Sequence, residues 1–429
     1  MITKLSLERF KNFEKAEITL GPLTVLIGAN ATGKSNLREA FRFLHGIGQG
    51  YTFAEILSGK YGPGGGLVWK GIRGGPREVA YRQAETFVLE ITTAKSTFRS
   101  VGHQPIAGVV KYRIEVAPGY RNDTTRLVQE TLYVGDMPIF EAQCAQTDPS
   151  QITLTVLGEP VNPSPGKQFR TDRSLLSEIA RPTNWDVTKK LQAVSAAVFM
   201  GVALAFMRFL DPASEAMRQP SSPDQRLLGD QGEHLASVLQ TICADPKRKQ
   251  ALVNLVRELT PMDVADFDFS TDYYGKVLLI LEEESGQRVS ADSASDGTLR
   301  FLTILAALLN SERAQPNERA YLYFFEELET GLHPTRLYLL LDFIEKQAEK
   351  ERLQVITTSH SPQMLRFLNA KSRDHVAVMY RLPGSSAAHI KQLRDFPPEA
   401  RDVIESTDLG KLHDSGWFEN AVFFMQGKE

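Results

Sequence analysis

Val25-Leu-Ile27-Gly28-Ala-Asn30-Ala31-Thr32-Gly33-Lys34-Ser35-Asn36-Leu-Arg-Glu-Ala-Phe41 is the stretch that decides the fold. Its centre, Gly28 to Ser35, fits the phosphate-loop pattern GxxxxGK[ST] in full. An apolar strand runs in, and a helix from about Lys34 to Leu44 runs out. The glycines permit a tight backbone curl whose N–H groups can face phosphate oxygens, and the helix N-terminus adds partial positive charge. Lys34 is expected to reach the β- and γ-phosphates, and the Ser35 hydroxyl to bind Mg²⁺. The expected nucleotide-binding set is Gly28, Asn30, Ala31, Thr32, Gly33, Lys34, Ser35 and Asn36, with ATP and Mg²⁺ as cofactors. A chance match in a turn is the plain alternative; the flanking strand and helix argue against it.

Outward from this loop the chain reads as α/β. Ile2-Thr-Lys-Leu-Ser-Leu7 alternates at period two, and Ala16-Glu-Ile-Thr-Leu20 reads as the next strand. Gly59 to Pro76 is dense in Gly and Pro and reads as a surface loop. From about Glu78 to Val156 several short strands separated by turn residues suggest an antiparallel section. Helical character dominates from about Leu175 to Leu259, broken at Pro182, Pro212 and Pro220 to Pro223. After Ser290, helix and strand alternate. The expected organisation is one composite domain. Residues 1–160 form an N-terminal lobe with the phosphate loop and the antiparallel section, 161–265 a helical insertion, and 266–429 a C-terminal lobe. The expected fold class is a P-loop NTPase with a mixed sheet.

Three further segments carry chemistry. Tyr321-Leu-Tyr-Phe-Phe-Glu326-Glu327 is an apolar strand ending in two carboxylates, which face opposite sides. Glu326 is assigned to the magnesium shell, directly or through water, and Glu327 to the attacking water as general base. Ser293-Ala-Ser295-Asp296-Gly297-Thr298 opens an amphipathic helix. It is either a plain N-cap or a second anion-binding helix start made by Ser295 and the Gly297 amide. Asp296 is odd in the second case, because an acid repels phosphate unless it points away. Thr357-Thr-Ser-His360-Ser-Pro362 ends another strand, where a neutral imidazole could bond a γ-phosphate or its attacking water.

Composition limits the alternatives. The chain has 429 residues, a formal net charge of −3 and a pI of about 6.3, which does not suit bulk nucleic-acid binding. Cys144 and Cys243 form no CxxC or Cys/His cluster and read as buried, inert thiols. The longest apolar run, Ala196 to Met207, is well short of the ~20 residues that cross a bilayer, and reads as a core helix or strand. No apolar stretch of signal-peptide length opens the chain, so a cytoplasmic protein without a membrane role is expected. The cluster Lys247-Arg-Lys249 reads as a solvated face.

In this order the segments GANATGKSN, SASDGTLRF, FFEE with the adjoining LETGLHP, and TTSHSP resemble the Walker A, signature, Walker B and switch-histidine motifs of ABC-type ATPase heads of the RecF/SMC class. The look-alikes are stand-alone bacterial ATPases of that class, often grouped as AAA family ATPases. The likeness covers roughly 1–45 and 290–370, and in looser form Met217–Pro220 and Gly232–Gln240. Leu7-Glu-Arg-Phe10-Lys11-Asn-Phe13 is similar to that family's first strand and turn, which would bring Lys11 near the nucleotide. Gln83 is a weak match for its glutamine loop. The resemblance implies that Ser295 and Gly297 act in trans, completing the pocket of a second copy of the chain. It also implies a separate effector such as a nuclease, with DNA as a candidate partner and DNA repair or anti-phage defence as the setting. The insert between Ser35 and Ser293 shows no sustained heptads, which excludes tethering by long coiled-coil arms. The alternative is an ATP-gated scaffold that hydrolyses little and holds or releases an effector nuclease.

Overall fold

The computed structural model describes residues 1–99, 104–119, 124–145, 148, 150–163, 168–180, 191–259, 264–310, 322–349 and 353–426. Its strands are β1 (Ile2–Phe10), β2 (Phe13–Thr19), β3 (Leu23–Ile27), β4 (Lys60–Tyr61), β5 (Leu67–Trp69), β6 (Phe87–Phe98), β7 (Ile106–Ala117), β8 (Arg126–Val134), β9 (Met137–Cys144) and β10 (Ile152–Val156). They continue with β11 (Glu159–Val161), β12 (Met207–Leu210), β13 (Val264–Thr271), β14 (Val277–Glu283), β15 (Arg288–Ser290), β16 (Leu322–Phe325), β17 (Val355–Thr358), β18 (Val376–Arg381) and β19 (Ala388–Gln392).

All five residues of β3 are buried. That strand sits inside a six-stranded sheet of order β12-β16-β17-β3-β18-β19, parallel except for β19. A parallel sheet is covered on both faces, so its strands are apolar throughout. Period two then sends alternate side chains to two different cores. Leu26, Phe324, Ile356 and Met379 join one core with the helix Lys34–Gly48. Val25, Phe325, Val355 and Val378 join the other with the helix Asp296–Asn310.

The second large sheet is antiparallel, in the order β11-β10-β9-β8-β7-β6-β1-β2. Its inner face, including Leu5, Phe87, Ile114 and Leu132, packs in the same core as the helix that leaves the phosphate loop. The strands expected between Glu78 and Val156 are these. A three-stranded sheet, β13-β14-β15, leads into the helix Asp296–Asn310.

The stretch read as helical holds the helices Leu191–Ala205, Leu235–Cys243 and Pro246–Leu259. It also supplies β12, which pairs with β16 as the outer strand of the parallel sheet. The apolar run from Ala196 therefore ends its helix at Ala205 and enters a strand at Met207. Pro182 lies outside the described residues. Within the Gly/Pro patch, β4 and β5 form a small hairpin, and buried Trp69 donates its indole N–H to the Ile56 carbonyl at 3.1 Å. Cys144 is buried and Cys243 half-buried; both are free, and burial raises both thiol pKa values, Cys243 to about 11. Among the described residues no helix is long and apolar enough to cross a membrane.

One buried carboxylate ties the antiparallel sheet to the next segment of chain. Glu130 of β8 is fully buried and accepts from Tyr112 Oη (2.8 Å), Ser174 Oγ (2.5 Å) and the backbone N–H groups of Leu175 (2.7 Å) and Leu176 (3.1 Å). Burial, the largest influence, raises its pKa against these donors. Glu130→Ala removes the acceptor that four buried donors share, leaving the Leu175 N–H without it and the Tyr112 hydroxyl and Leu176 N–H with only Ser174 Oγ. It is expected to destabilise the fold by at least ~1–3 kcal/mol, read as a lowered Tm; an unchanged melt would refute the tie.

Candidate nucleotide site

The phosphate loop starts where β3 ends, beside the carbonyl of Met379 in β18. A Cβ on Gly28 (φ +140°) would lie 2.1 Å from that oxygen, so only glycine fits. Gly33 (φ +110°) precedes the helix and is hemmed by Phe13, Ala388 and Asn12. Ala31 takes a left-handed φ of 63° at the crest. Thr32 closes the curl from within, donating to the Ala29 carbonyl at 2.8 Å. Lys34 is buried and donates to the carbonyls of Gly28 (2.5 Å) and Ala29 (2.9 Å). Burial lowers its pKa, with Glu327 opposing.

A cavity of about 500 Å³ opens on this loop. Of the residues singled out in the sequence, Asn30, Ala31, Gly33, Lys34, Ser35, Asn36, Glu326, Glu327 and His360 line it. Parallel pairing is the reason: β3, β16 and β17 end on the same side, and their ends carry the loop, the two acids and the histidine. Asn12, Arg73, Thr358 and Arg381 complete the lining. Asn12 is fixed by Asn36, which donates to its Oδ1 at 2.8 Å.

The two glutamates follow the end of β16 at Phe325, so strand alternation does not separate them: both border the cavity, with different partners. Glu326 Oε1 stands 3.3 Å from Arg38 Nε on the phosphate-loop helix. Glu327 is exposed, in a left-handed φ of 47°, and its Oε2 accepts from Thr330 Oγ1 at 3.0 Å. Its strained backbone is held from several sides. Its N–H donates to Thr358 Oγ1 (3.0 Å), and Arg300 Nη2 donates to the carbonyls of Glu326 (2.8 Å) and Glu327 (3.1 Å). Ser35, Glu326 and Glu327 offer the hard oxygen donors that suit Mg²⁺, although the ion pair with Arg38 competes for Glu326.

His360 is positioned by Glu329, which lies in the LETGLHP segment but to which the sequence assigns no role. Glu329 Oε1 accepts from Ser359 Oγ (2.7 Å) and the His360 N–H (3.1 Å). Desolvation and then Lys34 lower the imidazole pKa, which keeps the ring neutral to a lower pH than a free histidine.

Five residues named from the sequence do not line the cavity: Lys11, Gly28, Thr32, Ser295 and Gly297. Gly28 and Thr32 shape the loop from behind. Lys11 donates its ammonium to the Arg73 carbonyl and sits among Glu39, Glu78 and Arg73. Its neighbours Asn12 and Arg73 are the residues that reach the cavity. A Gly/Pro loop has no periodicity by which its sequence could have shown this. Gln83, exposed and in a left-handed turn, is also outside.

Ser295 is exposed and caps the helix Asp296–Asn310, its Oγ accepting from the Thr298 N–H at 3.2 Å. Gly297 packs on Gly331 of the loop after Glu327, where a Cβ would lie 2.5 Å from the Gly331 carbonyl oxygen. Asp296 turns away, 2.7 Å from Arg218. Of the basic cluster, Lys249 pairs with Asp266 at 2.7 Å and Arg248 donates to the Leu309 carbonyl at 2.7 Å.

Fold and cavity together define a P-loop ATPase head of the ABC kind. Residues 23–102 and 188–366, more than half of the chain, match the family model described as "AAA domain, putative AbiEii toxin, Type IV TA system". The chain belongs to that family. Among solved structures it is similar to an SMC head bound to the C-terminal winged-helix domain of ScpA, with 11% identity, a TM-score of 0.50, and coverage of 91% of this chain and 97% of that one. A further match is an SMC head with an extended coiled coil, bound to the C-terminal domain of ScpA derived from Pyrococcus furiosus: 12% identity, a TM-score of 0.47, and coverage of 94% and 98%. At 11% identity the first of these likenesses shows the fold alone. No curated protein matches the chain.

The lowered His360 pKa sets a pH test. Any nucleotide turnover that needs the neutral ring should persist below pH 6.5 and fall only as pH drops through the shifted value. Glu329→Ala removes the acceptor shared by Ser359 Oγ and the His360 N–H, and should loosen that turn and cut turnover without changing nucleotide affinity. An unchanged rate would remove Glu329 from the site.

Proposed function

We propose that this chain binds ATP with Mg²⁺ in the phosphate-loop cavity and hydrolyses it to ADP and phosphate. We further propose that the signature segment of a second copy closes that cavity. The observation that carries the reading is a division of labour. The loop, both acids and the histidine surround one cavity, while Ser295 is exposed outside it. A cavity open to solvent on one side and an unused helix start on the same chain are complementary halves.

Lys34 would leave the Gly28 and Ala29 carbonyls for the β- and γ-phosphate oxygens, a better match for a buried ammonium. Ser35 and Glu326 would hold the metal, which supplies charge neutralisation across the β- and γ-phosphates. Glu327, braced by Thr330, would take a proton from the attacking water, and neutral His360 would hydrogen-bond the γ-phosphate. In trans, Ser295 and the Gly297 amide would meet that same phosphate. The four sequence segments then act as one composite ATPase unit.

The output of engagement would be a change in the spacing of two heads, relayed to a separate effector. A nuclease acting on DNA, in repair or anti-phage defence, is the partner that the resemblance to RecF/SMC-type heads favours. The toxin named in the family description is compatible with the defence setting. The cytoplasm, where ATP is supplied, is the proposed location.

Steady-state ATPase and sedimentation measurements test this. Glu327→Gln should slow turnover by roughly 10²–10⁴-fold and accumulate an ATP-bound dimer. Lys34→Ala should abolish nucleotide binding. Ser295→Arg should leave ATP binding intact and block assembly. Normal assembly of the Ser295→Arg chain would sink the in-trans arrangement. Wild-type binding and assembly without turnover would instead favour an ATP-gated scaffold.

A further inference from the structure

Asp296 is the feature of the signature segment that the proposed function leaves unexplained. A carboxylate sits between Ser295 and Gly297, the two groups expected to face a phosphate. Left alone it would oppose the approach of any polyanion. The structure answers it from the helix Ser214–Arg218, with Arg218 first and a side-chain hydrogen bond from Ser214 beside it. Arg218 Nη2 lies 2.7 Å from Asp296 Oδ1 and also donates to the Ala294 carbonyl at 2.7 Å. Its Nε donates to the Asp292 carbonyl at 3.3 Å, and Nη1 to its own helix at Ser214 at 3.2 Å. One planar guanidinium thus neutralises the acid and fixes the backbone that leads into Ser295.

The base of Arg218 is itself rigid. Met217 is buried, and its sulfur accepts from Thr303 Oγ1, on the helix Asp296–Asn310, at 3.1 Å. A Cβ on Gly232 would lie 2.8 Å from Met217 Cγ, so the glycine-bearing turn presses the same side chain. The helix Leu235–Cys243 packs in the same core. The two segments of looser resemblance therefore serve one purpose, which is to buttress the start of the signature helix.

We propose that Arg218 is a positioning residue of the composite pocket: it screens Asp296 and fixes the Asp292–Ala294 backbone so that Ser295 and Gly297 can meet the triphosphate held by a second copy. This rests on the closure in trans proposed above. A purely structural role is the competing account, and charge separates the two. The carboxylate is exposed, at 68% for the Asp296 side chain, so its pairing adds little to folding stability; the Arg218 side chain is 22% exposed and is held by its carbonyl bonds. An unscreened carboxylate pressed against a triphosphate is a like-charge contact, and such contacts weaken association by more than about tenfold.

The test uses the full chain, Mg²⁺ and an ATP analogue with a non-hydrolysable β–γ bridge, with dimerisation monitored by sedimentation. Arg218→Ala should weaken analogue-driven dimerisation at least about tenfold, while leaving the monomer's affinity for the analogue close to wild type. Adding Asp296→Asn to Arg218→Ala should restore most of the dimerisation, because the charge that needed screening is gone. The inference is overturned if Arg218→Ala dimerises as wild type does. It is equally overturned if the double variant stays as weak as the single one. If the wild-type chain itself does not dimerise with the analogue, the in-trans reading fails, and this inference falls with it.

Discussion

Parallel hydrogen bonding among β16, β17, β3 and β18 is the constraint on which the rest of the molecule depends. Strands that run the same way end on the same side, and the segments leaving those ends must share one space. Here the ends deliver a glycine curl, two carboxylates, a histidine and Arg381. The order matters as much as the direction. β17 lies between the phosphate-loop strand and the acidic strand, so Thr357 and Thr358 can brace the turn after β16 while His360 faces Lys34.

Burying such a sheet on both faces requires two cores, and those cores give the two halves of the site their independence. The phosphate-loop helix belongs to the core shared with the antiparallel sheet; the helix Asp296–Asn310 belongs to the other. They communicate through few groups. Arg300 is one, reaching from the second helix to the carbonyls of Glu326 and Glu327, and the Gly297–Gly331 contact is another. Both contacts join the segment that carries Ser295 to the bend that carries Glu327, whose φ is left-handed.

The electrostatics obey the same plan. Lys34 is desolvated and rests on loop carbonyls; His360 is desolvated beside it and stays neutral. Glu326 faces Arg38, and Asp296 faces Arg218. Two of the charges that would oppose a triphosphate, on Glu326 and Asp296, are thus met by a guanidinium, while Lys34 borders the cavity on carbonyl bonds it can exchange for phosphate oxygens.

The sequence by itself determined whatever depends on local spacing. Gly28 and Gly33 mark a curl that only glycine can make, and the strand-to-helix switch around them defines the loop. The apolar runs that end at Phe325 and Ile356 mark strands, and their polar ends mark candidate chemistry. Tertiary structure alone decided the rest, because it arises between segments far apart in the chain. The apolar run after Ala196 reads equally as helix or strand, and only pairing with β16 resolves where one becomes the other. Asn12 and Arg73, not Lys11, reach the cavity, since the direction of a side chain in a turn depends on what packs behind it. The ambiguity at Asp296 could not be settled from its neighbours. Its partner, Arg218, comes from a different helix, and a charge's meaning is set by whatever lies within a few ångströms of it.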